Sequence, residues 1–144
     1  MPVIRLDHIT RSLVRSHRDR IFMFGDNMER AGFGGQAAEM RGEPNTIGVP
    51  TKWSPRRHDG AYFKDSDWDY FGVRITIQSA FATARMFLDA GVMVVVPSAG
   101  FGSGLADLAR RAPRIHEAIE HLTRGLSYGE TDHRRDEQPS VDAP

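Results

Sequence analysis

Two short, continuous apolar runs stand out along the chain, RIFMFG at residues 20–25 and GVMVVVP at residues 91–97. Both are bounded by glycine or proline, and an apolar run without alternation is typical of a strand buried on both faces of a sheet. A weaker run of the same kind, TIGVP, occupies residues 46–50, and PVIRL at residues 2–6 is typical of an edge strand. The apolar pattern therefore predicts four strands.

Between these runs, apolar positions recur with the period of an α-helix. The segment FGVRITIQSAFATARMFLDAG, residues 71–91, carries one apolar stripe and ends at a glycine, which commonly terminates helices. A second helix is predicted over APRIHEAIEHLTRG, residues 112–125, with Pro113 in its first turn and Gly125 at its end. A third is predicted over residues 35–41. Strands that alternate with helices predict an α/β sandwich with a mainly parallel sheet.

The length of 144 residues fits one domain with a single core. From Tyr128 onward the chain has almost no apolar content and carries charges of both signs. Such a segment cannot bury enough apolar surface to offset the entropy lost on ordering. We therefore expect one folded domain over residues 1–125 and a disordered tail over residues 126–144.

Composition excludes several kinds of function. The formal net charge is zero, so no overall charge draws the chain towards nucleic acid or a membrane surface. The absence of cysteine excludes disulfides, thiolate metal sites and cysteine nucleophiles. No stretch approaches the roughly 18 apolar residues of a membrane span, and the first 20 residues lack the apolar core of a signal peptide. We expect a cytoplasmic protein with no membrane partner.

The first glycine loop, GDNMERAGFGGQAAEMRGE at residues 25–43, begins at the end of a predicted strand. It passes through Asp26 and Asn27 and reaches three glycines just before a predicted helix, namely Gly32, Gly34 and Gly35. Free amides and the helix dipole make a glycine-rich approach to a helix N-terminus an anion site. The competing interpretation is a turn with a polar start.

The second glycine loop, PSAGFGSGLADL at residues 97–108, also lies between a strand and a helix. Its glycines alternate, at positions Gly100, Gly102 and Gly104, and Ser103 adds a hydroxyl. The spacing is not that of a dinucleotide fingerprint, because Leu105 stands where the third glycine would fall. A nest of backbone amides for a phosphate fits better. Two such loops on neighbouring strands indicate a ligand with two phosphates, or one phosphate held from both sides.

The aromatic loop, residues 51–70, is long, polar and without periodicity, which in a compact domain is typical of a functional or disordered segment. Core packing is the interpretation favoured for most of its aromatic side chains, although one of them could stack on a base. Lys52 is one of only two lysines in an arginine-rich chain. Lysine can lose its proton when desolvated and act as a nucleophile, whereas beside a phosphate it serves as a counter-charge.

Other catalytic constellations are missing from the sequence. The six histidines are scattered and have no H-E-x-x-H spacing, so no metal and no cofactor is expected. No G-x-S-x-G nucleophile elbow is present. The chemistry therefore rests on the glycine loops and the residues between them.

The order of these features resembles the macro domain family, whose members bind ADP-ribose and in several branches hydrolyse ADP-ribosyl linkages. DNMERAGFGGQAA is similar to the asparagine and glycine-rich loop of that family, and VVVPSAGFGSGLADL is similar to its phosphate-gripping loop. IGVPTKWSP is similar to the segment that carries the ribose-attacking lysine of one glycohydrolase branch. The likeness spans roughly residues 20–122. It is closer still to small macro-like proteins of bacteriophages and bacteria, through FGDN, GGQA, PTK and GLADLARRAP.

The resemblance implies a three-layer α/β/α sandwich with a mixed, mainly parallel sheet, a nucleotide ligand of the ADP-ribose type and an ADP-ribosylated macromolecule as partner. Its catalytic candidates are Lys52 as nucleophile or electrostatic stabiliser, Asn27 on the distal ribose, and Asp26 as base. The aspartate that the glycohydrolase branch carries inside the second loop is absent, and the nearest acid is Asp107. Asp7 is the candidate for the adenine amino group. We assign ligand contacts to Gly25, Arg30, Gly32, Gly34, Gly35, Gln36, Thr51, Ser98, Gly100, Phe101, Gly102, Ser103 and Gly104.

Two alternatives to turnover stay open at this point. One is a sensor or sponge that binds the nucleotide without hydrolysis, which the missing loop aspartate favours. The other is a structural or partner-binding phage protein in which the glycines only make turns.

Overall fold

The structure, a computed structural model, describes residues 3–137, and the side chains of residues 3–127. Its sheet contains the four predicted strands: β1 (Val3–Leu6), β2 (Arg20–Asp26), β3 (Thr46–Pro50) and β4 (Met93–Pro97). Their spatial order is β1-β4-β2-β3, and every pairing among them is parallel. The expectation of a mainly parallel sheet is thus confirmed, and the described strands include no antiparallel member.

The helices of the described chain include the three that the sequence predicts and two short ones that it does not. They are α1 (Arg11–Ser16), α2 (Ala37–Met40), α3 (Phe71–Asp89), α4 (Leu108–Arg111) and α5 (Pro113–Glu137), with two 3₁₀ turns, Asp59–Ala61 and Asp65–Asp69. Helices of one or two turns such as α1 and α4 give too few positions for a helical period to be read. In the described part of the chain, no helix is both long and apolar enough to cross a membrane.

Helix α5 continues beyond Gly125, where the sequence predicted its end, to Glu137. The prediction of the end was wrong because a glycine inside a helix costs only about 1 kcal/mol. The buried Leu126 also extends the apolar stripe past the glycine. The remainder of the predicted tail, residues 138–144, lies outside the described residues.

Helices cover both faces of the sheet, which makes the fold a three-layer α/β/α sandwich. Side chains of β2 alternate between the faces, as strand geometry requires. Ile21 and Met23 join a core with residues of α3 and α5, whereas Phe22 and Phe24 join a second core with residues of α1 and α2. The continuous apolar run of β2 is therefore explained by burial on two faces.

The chain leaves the neighbouring strands β2 and β4 towards opposite faces. After β2 it leads to α2, whose Ala37 and Met40 lie in one core, and after β4 it leads to α4 and α5, whose Leu108 and Ile115 lie in the other. Such a divergence opens a crevice at the carboxyl ends of the strands, where ligands of open α/β sheets bind.

Candidate functional site

A cavity of about 220 Å³ lies in this crevice, between the first and second glycine loops. It is lined at the strand ends by Gly25, Asp26, Asn27, Thr51 and Lys52. The first glycine loop contributes Gly32, Gly34, Gly35 and Gln36, and the second contributes Gly102, Ser103 and Gly104. Twelve of the residues that the sequence assigned to ligand binding or catalysis therefore meet around one cavity.

The two glycine loops are in direct contact. A Cβ built on Gly34 would lie 3.5 Å from Leu105 Cδ1 of the opposite loop. Gln36 ties the loops together, because its Oε1 accepts from the Gly25 amide at 2.6 Å and its Nε2 donates to the Gly100 carbonyl at 3.5 Å. The cavity walls are thus fixed to β2 and to each other.

Backbone amides of both loops are available for a ligand. The cavity-lining amides of Gly34, Gly35, Gln36, Gly102, Ser103 and Gly104 donate to no protein acceptor in the described structure, and the same holds for those of Gly32, Leu105 and Ala106. Oriented backbone amides of this kind act as fixed partial positive charges and bind anions. The arrangement is suited to phosphate oxygens.

Asp26 is held by two arginines. Its Oδ1 accepts from Arg41 Nη2 at 2.5 Å and from the Asn27 amide at 2.8 Å, and its Oδ2 accepts from Arg30 Nη1 at 3.0 Å. The carboxylate is buried, and a buried carboxylate of this kind requires such partners. Asp26 therefore anchors the two guanidinium groups, and in this arrangement it does not face the cavity as an unengaged base.

Arg41 binds the backbone of the first glycine loop. Besides Asp26, its guanidinium donates to the carbonyls of Gly32 at 2.5 Å and Ala31 at 3.1 Å. It also lines the cavity. Sequence reasoning missed this residue, although a buried aspartate at the end of an apolar strand signals that a cationic partner must fold back onto it.

Asn27 is buried at the cavity, but its side chain is occupied by the first glycine loop. Its Nδ2 donates to the Ala31 carbonyl at 2.8 Å, and its Oδ1 accepts from the Ala31 amide at 3.4 Å. Asn27 thus shapes the loop, and contact with a ribose would require these bonds to be exchanged.

Lys52 borders the cavity while its ammonium group is turned towards the aromatic loop. Its Nζ donates to the Arg56 carbonyl at 2.7 Å and lies 4.3 Å from the centre of the Tyr62 ring. Arg111 stacks on the same ring at 3.8 Å. Burial, followed by the charges of Arg57 and Arg111, lowers the pKa of Lys52 below its ordinary value. A lysine so placed is more readily neutral than an exposed one.

Four assigned ligand residues do not line the cavity. Arg30 lies in a groove beside β3, with its guanidinium on Asp26 and the Gly48 carbonyl. Phe101 is buried in the core against Phe81, and Ser98 and Gly100 lie at the start of the second glycine loop, outside the cavity lining. The sequence shows that these residues follow a strand, but it does not show which residues of the loop face the cavity.

The alternative acids also lie outside the cavity lining. Asp107 pairs with Arg110 at 2.5 Å and adopts a left-handed conformation, with φ of 49°, at the start of α4. Asp7 is exposed after β1. Residues that line the cavity without having been predicted are Ala31, Ala37, Arg41, Pro55, Leu105 and Ala106.

The aromatic side chains of the aromatic loop pack against one another, in keeping with the core packing that the sequence favours for most of them. Trp53 makes edge contacts with Phe63 and Tyr70, and its Nε1 donates to Asp67 at 2.9 Å. These side chains, together with Tyr62 and Arg111, surround a second groove of about 610 Å³ that is separate from the cavity lining.

The fold and the site define a three-layer α/β/α protein with a glycine-lined cavity at the switch point of its sheet. Residues 4–122 match the model described as Family of unknown function (DUF7831), and the chain belongs to that family. No curated protein and no solved structure matches the chain.

Proposed function

We propose that the cavity binds the diphosphate of a nucleotide of the ADP-ribose type. The observation that carries the proposal is that two loops far apart in sequence line one cavity with residues whose backbone amides have no protein acceptor. The cavity walls include no carboxylate that is free of arginine partners, since Asp26 is paired with Arg41 and Arg30. The field within the cavity therefore favours an anion.

The size of the cavity fits part of such a ligand. Its volume of about 220 Å³ is below the range of roughly 300–1,000 Å³ that is usual for whole small-molecule sites. The phosphates and one ribose would occupy it, and the remainder of the ligand would lie across the rim. The two glycine loops carry two exposed apolar side chains, Phe33 and Leu105, at 67% and 57% exposure, and Leu105 lines the cavity. They offer a surface on which a base can rest.

Binding without turnover is the form of this function that the contacts favour. Each of the three catalytic candidates is bonded within the protein: Asp26 to arginines, Asn27 to Ala31, and the Lys52 ammonium to the Arg56 carbonyl. Hydrolysis of an ADP-ribosyl linkage is the second candidate, and the lowered pKa of Lys52 favours it. In that reaction neutral Nζ attacks the ribose anomeric carbon, and the target leaves with the bonding electrons and takes up the proton that Nζ loses. Water then displaces the lysine nitrogen, which regains a proton from that water, and ADP-ribose is released.

Calorimetric titration with ADP-ribose tests the binding proposal. Gly104→Ala is the informative variant, because Gly104 lines the cavity and the added Cβ meets no protein atom within 4 Å, so the fold accommodates it. We expect saturable binding by the wild type and at least about tenfold weaker binding by Gly104→Ala, which is about 1.4 kcal/mol. Gly125→Ala is the matched control, since its Cβ also meets open space but lies on α5 away from the cavity. No heat at millimolar ADP-ribose overturns the proposal.

Incubation with a mono-ADP-ribosylated protein separates binding from hydrolysis. A binding module leaves the label in place, whereas an enzyme releases it. Lys52→Arg keeps the charge but cannot act as a nucleophile at neutral pH. Release that survives in Lys52→Arg and disappears in Lys52→Ala would assign Lys52 an electrostatic role, and release lost in both would assign it the nucleophilic one.

A further inference from the structure

The outer face of α3 is unusual for a surface helix. From Phe71 to Phe87, its exposed positions carry no charge: Phe71, Gly72, Ile75, Gln78, Ser79, Ala82, Thr83, Met86 and Phe87. Phe71 and Met86 are 69% and 70% exposed, and Ile75 and Phe87 are 42% and 36% exposed. A surface helix ordinarily presents charged and polar residues on the side opposite the core.

The two arginines of α3 are directed away from this face. Arg74 donates to the Trp68 carbonyl, and Arg85 donates to the carbonyls of Gly125 and Leu126. The hydroxyls of Thr76 and Thr83 donate to carbonyls one turn earlier in the same helix, at 2.6 and 2.9 Å. With its hydroxyl satisfied, Thr83 adds apolar surface to the face at little desolvation cost.

The face is also symmetric about Ser79. At about 100° per residue, the exposed positions from Phe71 to Phe87, other than Gln78, lie within about 80° of the direction of Ser79. A two-fold axis beside Ser79 would place Ser79 against Ser79 of an antiparallel copy, with Phe71 and Phe87 at the two edges of the contact. It would place Met86 against Gly72, where an added Cβ meets no atom within 4 Å of this chain. A large side chain thus faces a space that is open to receive it.

We propose that two copies of this chain pair through their α3 helices, antiparallel and about a two-fold axis near Ser79. A self-complementary face is what an isologous interface requires, and a face without charge brings no like charges together. The four large apolar side chains alone expose on the order of 400 Å², about half of the roughly 800 Å² that each partner of a standard interface buries. A groove of about 420 Å³ between α3 and the edge strand β3 adjoins the face, and the one charged side chain that lines it, Arg30, is paired with Asp26.

Light scattering of the full chain at about 100 µM, a concentration that detects micromolar association, tests the pairing. We expect twice the monomer mass of 16.1 kDa. Ala82→Arg places a charge on the face, three residues from Ser79, and should give the monomer with an unchanged circular dichroism spectrum. Ser12→Arg adds the same charge at an exposed position of α1 and should leave the dimer intact.

Single cysteines give a second readout, because the chain contains none of its own. Mild oxidation should link Ser79→Cys chains into covalent dimers and should leave Ser12→Cys monomeric. A 16.1-kDa monomer at that concentration overturns the proposal and leaves the face to another occupant. A dimer that persists in Ala82→Arg, or that Ser79→Cys does not link, also overturns it. ADP-ribose binding is measured independently of the pairing of two chains, because no residue of α3 lines the cavity.

Discussion

At the scale of single residues, Lys52 combines a buried ammonium group with positive neighbours. Desolvation disfavours the charged form of lysine, and Arg57 and Arg111 disfavour it further, so the pKa of Lys52 is lowered from 10.5. We predict that ¹³C NMR of labelled lysine, with only two lysines to assign, finds a titration midpoint for Lys52 below 10.5. Arg111→Gln should move that midpoint upwards. A wild-type midpoint at or above 10.5 would contradict this description of the site.

Arg41 is the residue on which the shape of the first glycine loop depends most. It neutralises the buried Asp26 and holds the carbonyls of Ala31 and Gly32. Arg41→Ala leaves the buried Asp26 carboxylate with only Arg30 as a charged partner. We predict a loss of about 3 kcal/mol in the free energy of unfolding, measured by urea denaturation.

Arg15→Ala is the control, because Arg15 is exposed and shares Glu43 with two other arginines. An equally large loss of unfolding free energy in Arg15→Ala would contradict the role assigned to Arg41.

At the scale of elements, α1 is joined to the start of β3 through one carboxylate. Glu43 is buried and accepts from Arg11 and Arg15 of α1 at 2.8 Å each, and it lies 2.7 Å from Arg18. Arg18 and Arg11, with a smaller effect of Arg15, lower the pKa of Glu43 from 4.5 to about 2, against the opposing effect of burial. The interaction therefore secures the face of the sheet on which α2 and the first glycine loop rest.

A lowered pKa in the folded state means that the unfolded chain binds more protons between pH 4.5 and about 2. The contribution of Glu43 to stability is thus fully present above pH 4.5 and is lost as the pH falls towards 2. We predict that Glu43→Gln lowers the free energy of unfolding at pH 7 and flattens its decline across that window, as measured by thermal denaturation at a series of pH values. Equal acid slopes in the two proteins would contradict the assignment.

The elements differ in how far the sequence predicts them. The strands follow from apolar runs, because burial on two faces leaves no polar position in residues 21–24 of β2 or in β4, and α3 follows from its apolar stripe, of which Val73, Ile77 and Leu88 are buried. The end of α5 does not follow from the sequence pattern, since burial of Leu126 makes it favourable for the helix to continue past Gly125. The glycine loops could be placed near one another because the carboxyl ends of parallel strands meet at one edge. The direction of the Lys52 ammonium group could not be predicted from the sequence, because it depends on contacts with the Arg56 carbonyl and the Tyr62 ring.

At the scale of the whole molecule, topology explains why the cavity lies where it does. β2 and β4 are neighbours in the sheet but not in sequence, and the chain turns from them to opposite faces. The loops that follow these strands therefore part at their outer ends and enclose the cavity between them. The α3 face lies on another surface of the sandwich, so pairing of two chains would leave both cavities open.

The central claim is that both glycine loops hold one anionic ligand with their backbone amides. The most direct measurement is a ¹H–¹⁵N NMR titration of the labelled protein with ADP-ribose. We predict that the amide signals of Gly34 and Gly35 shift together with those of Gly102 and Ser103, along one saturable curve. Shifts confined to one loop, or no shifts at millimolar ligand, would contradict the claim.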